Sequence, residues 1–117
     1  MTLYGDVVSI AATSSGVSGT ITVPMGARLV GLNLAATATT GIVISSVEIS
    51  WTGLQGPIKF VPQIVISPGT NGAAVGSCKT PLINLSRLPP VQNTNTITIK
   101  ITSTGNITVE VGLMWVA

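Results

Sequence analysis

The sequence predicts an all-β fold: one antiparallel β-sandwich domain of about eight strands, spanning residues 1–117. Three observations predict it. Apolar and polar residues alternate with a period of two along most segments, and none carries the 3.6-residue period of an amphipathic helix. Val, Ile and Thr fill those segments, and their branched Cβ suits a pleated, half-buried surface. Clusters of Gly, Pro, Asn and Ser recur between them at the spacing typical of sandwiches and barrels. A chain of 117 residues has room for one domain with a real core, and it contains neither a solenoid-length repeat nor an interdomain linker.

Residues 3–12 open as a strand, with Val7, Val8 and Ile10 apolar. Thr13-Ser14-Ser15-Gly16 is turn chemistry. Val17, Gly19, Ile21 and Val23 alternate with Ser18, Thr20 and Thr22, the cleanest short strand of the first half. Pro24-Met25-Gly26 ends it, because Pro has no N–H to donate and Gly permits a tight bend. In residues 28–36, Val30, Leu32, Leu34 and Ala36 share one face, and Gly31, Asn33 and Ala35 share the other. After a small-residue loop at 37–41, Ile42 and Ile44 set one phase, while Val47, Ile49 and Trp51 set the opposite one. A slip at Ser45-Ser46 fits a β-bulge within one strand, or a break between two.

Residues 52–57 are a loop with two Gly and a Pro. Residues 58–66 alternate around Pro62, which points to an edge strand or a bulge. Residues 67–72 (SPGTNG) are the strongest turn signal, and residues 73–78 make a weak short strand. Residues 80–93 hold Pro81, Pro89 and Pro90 around Leu82-Ile83-Asn84-Leu85, and read as a long ordered loop with one helical turn or a short strand. Two strands finish the chain. Ile97, Ile99 and Ile101 form the apolar face of the first; Ile107, Val109, Val111, Leu113 and Trp115 form that of the second. Met114 and Val116, on the face that should be wet, are apolar too, so this end asks for cover on both sides.

Composition narrows the function. Charged residues are 7% of the chain, against about 25% in typical soluble domains. Mean hydropathy is +0.65, yet no run of about 20 apolar residues exists to span a bilayer. A monomer so poor in charge tends to associate, so copies of the chain or partner proteins are expected over much of the surface. The net charge of +2 comes from Arg28, Lys59, Lys79, Arg87 and Lys100 against Asp6, Glu48 and Glu110. No two basic residues adjoin, so the footprint of a specific nucleic-acid site is missing. The N-terminal MTLYGDVVSI has no basic, apolar secretory pattern, so use without classical export is expected.

The residues give no catalytic, metal or cofactor site. Without His, neither a nucleophile–His triad nor a usual zinc set can be built. Cys78 stands alone and reads as a small packing residue. Glu48 and Glu110 sit at outward positions on their strands and read as solvated or salt-bridging, with Lys100 and Glu110 as a candidate cross-strand pair. The Gly pairs at 16/19 and 53/56 lack the Lys and the strand-to-helix setting of a phosphate loop. Trp51 and Trp115 fall on the apolar phase of their strands and are expected inside, although Trp51 ends its strand at a loop where a glycan platform would sit. Thr20/Thr22 and Thr96/Thr98 do not recur at a fixed period, and read as ordinary outward threonines rather than an ice-binding face.

The order of strands, the passage Pro24-Met25-Gly26-Ala27-Arg28-Leu29-Val30-Gly31-Leu32 and the passage LPPVQNTNTITIKI at 88–101 resemble small single jelly-roll virion proteins, that is, capsid, penton and decoration subunits. The resemblance implies a jelly roll, a homo-oligomer (trimer or pentamer) built with other virion proteins, and a virion assembled in the host cytoplasm. The turn at 103–106 departs from that pattern: it is short enough for a hairpin, whereas the last two strands of a jelly roll lie in opposite sheets. A meander or an immunoglobulin-like sandwich therefore stays open. The expected function is that of a virion structural protein, not an enzyme, with Met114, Val116, Pro89 and Pro90 at subunit interfaces. A surface filament or adhesin subunit is the first alternative, and a carbohydrate-binding module the second.

Overall fold

The computed structural model describes residues 2–38, 41–62, 64–66, 76–79, 83–92 and 94–117, and the side chains of these except at 37, 38 and 76–79. Ten strands follow in order: β1 (Leu3–Ala12), β2 (Val17–Thr22), β3 (Arg28–Ala38), β4 (Ile42–Ser50), β5 (Ile58–Phe60), β6 (Ile64–Ile66), β7 (Gly76–Lys79), β8 (Ile83–Asn84), β9 (Thr96–Ser103) and β10 (Ile107–Val116). No helix forms among the described residues. The turn signal at 67–72, and the strand expected at 73–78 as far as residue 75, lie outside them.

The strands make two antiparallel sheets that pack as a β-sandwich. The first runs β1-β10-β3, with β7 and β8 sharing the far edge of β3. The second runs β2-β9-β4, with β5 and β6 sharing the far edge of β4. The segment around Pro62 is thus an edge strand broken in two: Val47–Ile49 pair with β5 and Ile42–Ile44 with β6. An edge tolerates this because only one side of the strand needs its N–H groups. Of the loop expected at 80–93, residues 83–92 are described: β8 is its short strand, and Leu85 and Val91 are buried in the core.

The phase slip in β4 is a bulge, not a break. The register with β9 shifts between Ile44 and Ser46, so Ser46 and Val47 are buried side by side and the apolar phase flips along one continuous strand. The core is aliphatic. Ile97, Ile99 and Ile101 of β9 face Val109, Val111 and Leu113 of β10 across the sandwich, all fully buried, with Leu32 and Leu34 of β3 beside them. Each such side chain contributes about 1.5–3 kcal/mol of transfer free energy.

The segment at 103–106 is a crossing between sheets. β9 belongs to the second sheet and β10 to the first, so the two do not pair. Polar contacts hold the crossing. Ser103 donates its amide to the Thr13 carbonyl at 3.1 Å and its hydroxyl to the Gly105 carbonyl at 2.6 Å. Thr104 donates its amide to the Val43 carbonyl at 2.9 Å, and its Oγ1 accepts from the Val43 amide at 2.9 Å. Both flanks of β9 are then occupied, by β2 and β4, and β10 must cross to the other layer. The connections β1–β2, β2–β3 and β3–β4 cross likewise, which rules out a meander.

Candidate functional site: the outer face of the first sheet

Among the described residues, the groups capable of chemistry are scattered. No three of the His, Cys, Asp or Glu type gather where a metal ion would sit. Each carboxylate is engaged locally. Asp6 Oδ1 accepts from the Val7 amide at 2.8 Å, and Glu110 Oε1 accepts from the Ser9 hydroxyl at 2.6 Å. Glu48 Oε2 lies 4.0 Å from Lys100 Nζ. The expected Lys100–Glu110 pair is therefore corrected: their strands sit in opposite sheets, and register places Lys100 against Glu48 instead. The side chain of Cys78 lies outside the description.

Trp51 and Trp115 are buried, as their phase predicts, each with 7% of its surface exposed. Tyr4 stacks on Trp115 with ring centroids 6.2 Å apart and planes 20° from parallel. Neither tryptophan offers a free face to a sugar ring.

The two outer faces differ in chemistry. That of the second sheet is polar over most of its width: Thr20 pairs with Thr98 and Thr22 with Thr96, and Ser18, Lys100, Glu48 and Lys59 follow one another across four strands, with an apolar pair, Val43 and the exposed Val65, at its far edge. That of the first sheet is apolar at its centre. Register lays out four rows across β1, β10 and β3: Leu3, Val116, Arg28; Gly5, Met114, Gly31; Val7, Gly112, Asn33; Ser9, Glu110, Ala35. Leu3 and Val7 are 60% and 61% exposed, and Met114 and Val116 are half-buried with no layer of the described strands above them.

A hollow opens in this face. A Cβ built on Gly112 would meet nothing closer than the Asn33 Cβ at 4.0 Å. Val7, Asn33 and Met114 stand around it and enclose a shallow cavity of about 310 Å³ floored by Gly112. Sequence reasoning placed Met114 and Val116 on this outward face but missed Leu3, Val7 and the hollow. The signal was present: Leu3 and Val7 are on the opposite phase from Val8 and Ile10, so one set had to face outward. Pro89 and Pro90 lie elsewhere, exposed and half-buried in the segment leading to Val91. Val91 accepts from the Gly26 amide at 2.6 Å and donates to the Ala27 carbonyl at 2.8 Å, which ties that segment to the turn bearing Met25, 68% exposed.

No helix of the described residues is long and apolar enough to cross a membrane. No family model and no curated protein matches the chain. The chains of solved structures that match include two from different sources. One is a chain from the "Capsid of Ralstonia phage GP4", at 15% identity and a TM-score of 0.44, with 98% of this chain and 83% of that chain covered. The other is dimeric latent PorU from Porphyromonas gingivalis, at 10% identity and a TM-score of 0.40, with 97% of this chain but 13% of that much longer chain covered.

Proposed function

We propose that this chain is a structural subunit of a virion, in a capsid, penton or decoration role, built as a single jelly roll and without catalytic activity of its own. Its work is done through contacts with copies of itself and with other virion proteins, in a trimer or pentamer assembled in the host cytoplasm. The observation that carries the reading is the outer face of the first sheet, where Leu3 and Val7 are largely exposed beside Met114 and Val116. A sheet face of this composition is costly to leave in water and is suited to a protein neighbour. A charged fraction of 7% supports the same reading. The jelly-roll topology is supported by strand order: β1-β10-β3 with β7/β8, and β2-β9-β4 with β5/β6, interleave the two halves of the chain as two Greek keys do.

The long edge of β1, which no strand of the described residues pairs, favours a second reading, a filament or adhesin subunit that receives a strand from the next copy. Against it, the carboxylate of Asp6 occupies the Val7 amide in the middle of that edge. Native mass measurement of the purified chain, with electron microscopy of the product, tests the proposal. Closed oligomers or shells are the expected result. A monomer at all concentrations removes the proposal, and open fibres joined edge to edge favour the alternative.

A further inference from the structure

We infer that the outer face of the first sheet is a two-fold contact with the same face of a second copy, in which Met114 of each copy enters the hollow over Gly112 of the other. The inference rests on the self-assembly reading above; because a two-fold contact closes on two copies, it joins one trimer or pentamer to the next rather than building the ring itself.

The pattern of the face is self-complementary. Consider a two-fold axis lying in the interface, across the strands, between the row of Met114 and the row of Gly112. It stacks β10 on β10 and reverses the order of rows. Met114 then lies over the partner's Gly112, and Val7 over the partner's Gly5. In these two central rows each projecting side chain meets a glycine, on both sides of the axis, while in the outer rows Val116 lies over the partner's Glu110 and Leu3 over its Ser9. Gly112 leaves the hollow open, and Met114 is an unbranched, adaptable side chain able to fill it.

Charge agrees with the same axis. The outer rows that it superposes are Leu3, Val116, Arg28 and Ser9, Glu110, Ala35. Arg28 therefore falls one strand away from the partner's Glu110, and the reciprocal pair repeats on the other side. Arg28 is exposed and forms no ion pair among the described residues, so it is available for that role. Sheets stacked face to face keep their strands within about 30° of one another, and this geometry meets that rule.

Three strands and four rows cover about 400 Å² per copy, roughly half of what a standard interface buries on each side. The isolated pair is accordingly weak, and the contact gains strength by repetition within an assembly.

The test is a swap. Sedimentation equilibrium across a wide concentration range, with circular dichroism to check folding, compares the native chain with Gly112→Met, Met114→Gly and the double variant. Gly112→Met sets methionine against methionine, and Met114→Gly sets hollow against hollow. Each is expected to weaken self-association about tenfold or more, and the double variant is expected to restore it. Arg28→Glu, at an exposed position where folding is not at stake, is expected to weaken the same association and to be rescued by Glu110→Arg. Association that Gly112→Met strengthens marks general apolar adhesion and overturns the inference. Oligomers indifferent to all of these variants also overturn it while leaving the proposed function standing. A native chain that stays monomeric throughout overturns both.

Discussion

Asp6 Oδ1 accepts a hydrogen bond from the Val7 amide at 2.8 Å, and that amide points to the free edge of the first sheet. The direction follows from register. The Ala117 amide donates to the Thr2 carbonyl, so even-numbered residues of β1 bond β10 and odd-numbered ones face away. Among the described residues this ten-residue edge has no strand partner; such an edge is a template for a foreign strand, and a carboxylate seated at its middle blunts it. Asp6→Ala frees the Val7 amide. It is expected to raise edge-to-edge aggregation, read as thioflavin binding and light scattering in aged samples, without changing the melting temperature by more than a few degrees. Unchanged scattering would show that Asp6 does not guard this edge.

Gly19 sits where the two sheets approach closely. A Cβ there would lie 2.9 Å from Cγ1 and 3.2 Å from Cδ1 of Ile10, and 3.3 Å from Cγ2 of Val8. Gly19→Ala is expected to cost about 1–3 kcal/mol, the usual range for overpacking a filled core. Urea unfolding measures it, and Ile10→Val in the same chain should recover part of the loss by removing the Cδ1 contact. A neutral Gly19→Ala would mean that the sheets are less tightly seated than this contact requires.

Thr104 fixes the crossing from β9 to β10 by accepting the Val43 amide on its hydroxyl. Thr104→Val keeps the shape and removes the acceptor. The expected cost is about 0.5–1.5 kcal/mol, as for one ordinary hydrogen bond at the surface. Hydrogen exchange at Val43 should quicken selectively, and an amide as slow as in the native chain would refute the assignment.

Tyr4 is 47% exposed, yet its ring covers the buried Trp115. In a Trp51→Phe background, Tyr4→Ala should shift tryptophan emission to the red by opening Trp115 to water. Beyond lost burial, the ring pair contributes about 0.5–1.5 kcal/mol. Emission that stays put would show that other residues seal this end of the sandwich.

The ion pair between Lys100 and Glu48, at 4.0 Å and partly exposed, should matter little. Glu48→Gln is expected to change stability by less than about 1 kcal/mol, and the difference should shrink further in high salt. A larger loss measured by thermal unfolding would point to a role for Glu48 beyond this pair.

Much of this molecule was legible in its residues. The alternation Ile97, Ile99, Ile101 and Ile107, Val109, Val111 located the central strands of both sheets, because a strand with one buried face must repeat every second residue. The slip at Ser45-Ser46 announced the bulge for the same reason. Pro62 announced an edge, since a central strand cannot spare its N–H. The candidate surface was half legible: Met114 and Val116 broke the expected phase, but the glycine beside them carried no signal of its own. Gly112 in a strand reads as weakness until its neighbours across the sheet, Val7 and Asn33, are known.

By itself, then, the sequence determined the class, the strands, the aliphatic core and the absence of His-based chemistry, all of which depend on residue type and on spacing along the chain. Only the tertiary structure decided which strands pair. The four residues at 103–106 suit a hairpin or a crossing equally well, and the choice fell to contacts with Thr13 and Val43, ninety and sixty-one positions away from Ser103 and Thr104. It also decided that Lys100 meets Glu48 while Glu110 meets Ser9, and that Val7, Asn33 and Met114 surround one hollow. The physical reason is common to all three. Local pattern fixes which face of a strand is buried, but partner and register are chosen by contacts between distant segments, and a surface exists only once those contacts are made.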